Sequence, residues 1–88
     1  MGGKLPYLKV ETKTLGAQQD LDKLIENGIY MSSNASYLIN APVNVNKSAM
    51  AILIVLGTSS LIGQILICGN TMFTRESLKD KFSAWQQI

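Results

Sequence analysis

The chain is poorly supplied with reactive groups. It has no histidine and a single cysteine, Cys68. Without an imidazole the usual general base near neutral pH is missing, and the thiol has no partner to activate it. Cys68 closes an apolar run, so it reads as a small buried hydrophobe. It cannot form an internal disulfide, and one cysteine without histidine does not make a structural zinc site. Asp20, Asp22 and Glu26 read as the cap and solvated face of a short helix. Glu76 and Asp80 lie beside Arg75, Lys79 and Lys81 and read as surface pairs. Gly57, Gly63 and Gly69 recur at even spacing, but no Lys-Ser/Thr follows, so they do not form a phosphate loop. The residues therefore point to a protein that binds and does not catalyse, with no cofactor and no metal.

Binding chemistry rests on the aromatics: Tyr7, Tyr30, Tyr37, Phe73, Phe82 and Trp85. Exposed Tyr and Trp rings stack on sugars, while buried ones fill cores with the polar tip on a partner. Asn34 within the polar stretch 32–36 and Tyr37 beside it are candidates for a surface-binding site. Trp85 is a third candidate, although it and Tyr30 read first as core. The net charge of +2 comes from scattered basic residues, which does not suit nucleic acid.

The stretch Ala49–Gly69 must position everything else. It contains no charged residue. Two apolar runs rich in β-branched residues, 50–56 and 61–67, flank Gly57-Thr58-Ser59-Ser60, a turn signal. With Leu56 opposite Leu61, one hairpin face carries Met50, Ile52, Ile54, Leu56, Leu61, Gly63, Ile65 and Ile67. The other carries Ala51, Leu53, Val55, Ile62, Gln64, Leu66 and Cys68. Neither is polar enough to face water, which predicts cover on both sides. A chain of this size usually needs a staple, and without disulfide or metal that staple is oligomerisation. Ile52, Ile54, Leu56 and Ile65 are the candidate oligomer interface. The alternative is a single membrane-spanning helix over Ala49–Gly69, of lysis-pore type, since the length suits a bilayer. Gln64, the Thr58–Ser60 cluster and the lack of a basic flank argue against it.

The rest of the chain reads in short pieces. Residues 1–20 form an extended N-terminal arm or linker, and residues 21–88 form the domain. Met1–Leu5 runs into polar sequence with no apolar signal region. Absence of disulfides fits assembly in a cytoplasm. Asp20 caps a short helix, Leu21–Glu26, whose Leu21, Leu24 and Ile25 share a stripe, and Asn27-Gly28 ends it. Short strands follow at 29–31 and 37–39. Residues 43–48 read as an exposed connection. After the turn Gly69-Asn70 come a strand at 72–75, a charged connection at 78–81 and a final strand at 83–88. The fold class is mainly β, a small antiparallel sheet with one short N-terminal helix.

The order of these pieces resembles the pyocin-knob type of domain of bacteriophage tail fibres. Such domains open with Leu-Asp-x-Leu and Gly-x-Tyr, continue with a Val-x-Gln strand and an aromatic-x-Arg strand, and close on Trp-Ser-x-Trp-x-x-Leu. Here the matching pieces are Leu21-Asp22-Lys23-Leu24, Gly28-Ile29-Tyr30, Ile62-Gly63-Gln64, Phe73-Thr74-Arg75 and Phe82-Ser83-Ala84-Trp85. Phe82 stands where a tryptophan is common. Gly28, Tyr30, Gln64, Arg75 and Trp85 fall on the family's structural positions. The resemblance implies a virion structural protein, a fibre or baseplate knob for host-surface attachment, assembled in the host cytoplasm as a homotrimer. It also implies a host cell-surface glycan as ligand, and docking to other virion proteins through residues 1–20. A capsid decoration or head-fibre protein docking by its N-terminal arm is the other virion role open to such a chain.

Overall fold

A computed structural model describes residues 11–78 and 81–88. Among these described residues nine short strands form: β1 (Thr12–Thr14), β2 (Gln19–Asp20), β3 (Gly28–Ser32), β4 (Leu38–Ile39), β5 (Ala51–Gly57), β6 (Leu61–Cys68), β7 (Thr71–Leu78), β8 (Lys81–Phe82) and β9 (Gln86–Gln87). Seven of them make one sheet in the order β1-β3-β5-β6-β7-β8, with β9 also on β7, while β2 and β4 pair separately.

Ala49–Gly69 folds as two strands and not as one helix. These strands overturn the helical span expected over Ala49–Gly69, and among the described residues no helix is long and apolar enough to cross a membrane. The hairpin closes on Thr58, whose N–H donates to Leu61 O at 2.8 Å, leaving Ser59-Ser60 as a two-residue loop. Leu56 therefore faces Gly63 and not Leu61. The expected register is off by two residues, and because side chains alternate with period two, both expected faces survive intact. The β6–β7 hairpin turns on Gly69-Asn70, with Gly69 at φ +60, a left-handed conformation that glycine adopts without a Cβ clash.

The inner face of the sheet is the core. Ala51, Leu53, Val55, Leu66, Cys68 and Phe73 are all buried there, joined by Tyr30 from β3. The layer covering them is irregular chain. Leu15, Leu21, Ala35 and Val45 are buried from the loops, and Trp85 packs at the margin. Backbone groups in this layer find partners locally, as in Ala35 N–H to Ala49 O at 2.9 Å and Ser36 N–H to Lys47 O at 3.1 Å. The connection 43–48, expected to be exposed, thus contributes Val45 to the core.

Two further expectations change. The helix expected over Leu21–Glu26 is a single 3₁₀ turn, Leu21–Lys23, capped by Asp20, whose carboxylate accepts from Asp22 N–H. It stops at Leu24, whose φ of −91° and ψ of 83° are not helical, and the Gln64 amide donates to the carbonyls of Leu21 and Leu24 there, at 2.8 and 3.0 Å. A continuing helix would need the first of these for Ile25. The main sheet is also mixed and not purely antiparallel, since β1 runs parallel to β3, and the separate β2–β4 pair is parallel as well. Of the arm expected over residues 1–20, β1 and Leu15 run along β3, with Leu15 N–H donating to Met31 O at 2.7 Å, while Gln19–Asp20 pairs with β4. Residues 1–10 lie outside the described region. So do residues 79–80 of the charged connection expected at 78–81, while Leu78 continues β7 and Lys81 begins β8.

Candidate functional site

Two surfaces are candidates for function, and a buried polar network holds the fold that presents them. The network starts at Gln64 and Arg75, which are cross-strand partners on the inner face. Gln64 spends its amide N–H groups on the Leu21–Leu24 turn, and its Oε1 accepts from Arg75 Nε at 2.8 Å. One guanidinium nitrogen of Arg75 pairs with Asp22 Oδ1 at 2.8 Å, and the other is buried without a partner among the described residues. The guanidinium carbon lies 3.9 Å from the centre of the Phe82 ring and 4.4 Å from that of Trp85. A planar, weakly hydrated cation suits such aromatic neighbours. Burial lowers the Arg75 pKa, and the Asp22 carboxylate opposes that shift.

Asn40 ties the network to the loops. It sits at φ +64, a conformation that Asn tolerates better than most residues. Its side-chain amide donates to Asp20 Oδ1 at 2.7 Å and to Asp22 Oδ2 at 3.1 Å, and its carbonyl accepts from Trp85 Nε1 at 2.8 Å. These donors, the Asn40 amide first and the Asp22 backbone N–H second, hold the Asp20 carboxyl below its ordinary pKa. Gly28 and Tyr30 lock the other end of the sheet. A Cβ at Gly28 would sit 3.4 Å from the Tyr30 ring, so the ring folds back over the glycine and its hydroxyl reaches Glu26 O at 2.9 Å.

The proposed surface residues are placed as follows. Asn34 caps the 3₁₀ turn Ala35–Tyr37, its Oδ1 accepting from Ser36 N–H at 2.9 Å and Ser36 Oγ at 2.7 Å. Tyr37 ends that turn and is exposed. Beside it lies a polar hollow of about 250 Å³ edged by Ser36, Asn40, Val43 and Lys47. Trp85 is half-buried, with its N–H and ring engaged in the network.

The second surface is the outer face of the sheet. Ile29 and Met31 of β3 stand beside Ile54 and Ile52 of β5, which pair with Ile65 and Ile67 of β6. Met72 of β7 follows. The isoleucines and Met31 are half-buried, whereas Leu56, Leu61, Met72 and Leu78 are exposed. A groove of about 500 Å³ runs over Gly63 between Ile54, Leu56 and Ile65, with Thr74, Glu76 and Gln86 on its polar side. Sequence reasoning named the apolar floor and missed the polar side, because the Ser83 and Gln86 segment comes back to β7 only through tertiary pairing. It also missed Asn40 as the joint between Asp22 and Trp85. The one signal was a residue tolerant of left-handed backbone ahead of Ala41-Pro42.

No family model matches the chain, and no curated protein matches it significantly. Among solved structures, its fold is similar to that of an N-terminally truncated R2-type pyocin tail fibre, with a TM-score of 0.75 and 18% sequence identity. The likeness covers 93% of this chain and 33% of that one, so the chain spans about a third of the length of the fibre fragment it matches. At that identity the kinship is one of architecture: the chain is folded like a segment of a pyocin tail fibre.

Proposed function

We propose that this protein is a structural attachment module of a bacteriophage-type tail fibre or baseplate, part of the virion, which binds a surface and does not catalyse. The observation that carries this reading is the tail-fibre architecture spanning nearly all of the chain. The residue chemistry agrees with it. The sequence has no histidine, and burial pushes the Cys68 thiol pKa up, away from the reactive thiolate.

The working unit is a homotrimer in which the outer sheet face, including Ile52, Ile54, Leu56 and Ile65, lies between subunits. That face supports the proposal because it exposes a continuous apolar surface that water would not favour. A host cell-surface glycan is the ligand class, with Tyr37 as the stacking ring beside the polar hollow at Ser36 and Lys47. Sedimentation equilibrium on purified protein tests the assembly, and immunogold labelling of intact particles tests the location. Three chains per particle in solution and label at the tail support the reading. A monomer at all concentrations, or label absent from virions, overturns it.

A further inference from the structure

The outer face contains one feature that nothing among the described residues explains. Gly63 sits in the interior of β6, where a glycine weakens a strand because it orders the most flexible backbone and contributes no side chain. Three reasons normally keep a glycine in such a place, and none applies. Its φ is not left-handed, since Gly69 is the one glycine with positive φ among the described residues. It marks no bulge, because pairing runs unbroken from Ala51 to Gly57 against β6 and from Leu61 to Cys68 against β7. It is not crowded: a Cβ there would meet only Leu56 O, at 3.6 Å, an ordinary contact. The missing side chain instead opens the groove bounded by Ile54, Leu56, Ile65 and Thr74.

Directly across the β5–β6 pair stands Leu56, with 59% of its surface exposed. A protruding apolar side chain and an empty notch therefore occupy one register pair of the same apolar sheet face. We infer that Leu56 of one copy of this chain seats in the notch over Gly63 of a neighbouring copy, so that Gly63 is the socket that fixes how subunits dock. This rests on the trimeric reading above and adds the residue pair that specifies the contact. A second copy is the occupant that the surface favours. Leu56, Leu61, Met72 and Leu78 expose 59%, 48%, 39% and 62% of their surfaces, and with the half-buried residues of the face they leave on the order of 600 Å² open. That is most of the ~800 Å² that each partner of a stable interface buries. Self-association also supplies bump and hole together, since every copy carries both.

The test compares the full chain with Gly63→Val and Leu56→Ala by sedimentation velocity over a concentration series, with circular dichroism and thermal melting on each. Valine is a good strand residue and fills the notch without touching the inner core. The expected result is a β spectrum and melting of the dilute monomer that match or exceed wild type, with association weakened at least tenfold. Leu56→Ala is expected to weaken association as well, with its fold retained. If Gly63→Val fails to fold, Gly63→Ala, whose added methyl meets only Leu56 O, replaces it with a smaller expected loss of association. A folded Gly63 variant that assembles like wild type overturns the socket while leaving the oligomer standing. A wild-type chain that stays monomeric overturns both.

Discussion

Gln64 and Arg75 face each other across β6 and β7, and the 2.8 Å bond from Arg75 Nε to Gln64 Oε1 links the strands through their side chains as well as their backbones. Both residues are buried, and between them they reach the 3₁₀ turn, Asp22, Phe82 and Trp85. Replacing Gln64 with Leu keeps the volume but strands the Leu24 carbonyl and the Arg75 Nε–H, and leaves Leu21 O with the Leu24 N–H alone. Buried polar groups left unpaired cost about 1–3 kcal/mol each, partly recovered by relaxation, so a loss of about 3–4 kcal/mol is expected. Urea denaturation reads it as a lower midpoint at an unchanged slope.

Trp85 supports the same cation from the C-terminal segment. Trp85→Ala removes the ring beside Arg75 and the N–H that reaches Asn40 O, and should cost about 3 kcal/mol. Trp85→Phe keeps an aromatic neighbour and loses the hydrogen bond, at about 1 kcal/mol. Thermal melts of the pair separate the two contributions. Equal losses in both variants would show that the ring adds nothing beyond its hydrogen bond.

Acid should loosen the Asp20 cap. Its folded pKa lies below the ordinary value of 3.8, held there by Asn40 first and the Asp22 amide second. A carboxyl depressed by folding stabilises fully above its unfolded pKa and loses that contribution as pH falls through the folded one. Melting temperature should therefore stay level from neutral pH and drop below about pH 4. Asp20→Asn retains a capping oxygen without the charge, so its profile should fall less over that interval. Parallel profiles for the two proteins would place the acid sensitivity elsewhere.

The central hairpin has no room at Gly57. A Cβ there would stand 2.7 Å from Ile62 Cα and clash with the Leu61 carbonyl. The clash is with backbone, so no side-chain rotation relieves it. Gly57→Ala should destabilise by about 2–3 kcal/mol, whereas Ser60→Ala, at the exposed loop, should change little. Differential scanning calorimetry of both variants checks the contrast.

Much of the sheet was legible because its cues are local. The apolar runs, the small residues at 57–60 and Gly69-Asn70 set the two hairpins, and a two-residue error in register left every side chain on its expected face. The positions Gly28, Tyr30, Gln64, Arg75 and Trp85 were named from the resemblance, but not what they touch. Helical stripe and cap at Asp20–Ile25 misled, because the turn they form is braced by a side chain forty residues away, whose amide binds the Leu21 and Leu24 carbonyls around a single 3₁₀ turn. The parallel pairing of β1 with β3 carries no local signature, and neither does the joint at Asn40, since both depend on chain segments meeting from a distance.

The Arg75 network gathers groups from Asp22 to Trp85, nearly the two ends of the described chain, whereas β5, β6 and β7 are sequence neighbours joined by tight turns. Short-range pairings close fast and distant ones late. The meander should thus nucleate the molecule, and the guanidinium latch should engage after the rate-limiting barrier. Weakening that latch would leave refolding speed almost untouched and shorten the lifetime of the native state. What Arg75 supplies, on this view, is endurance.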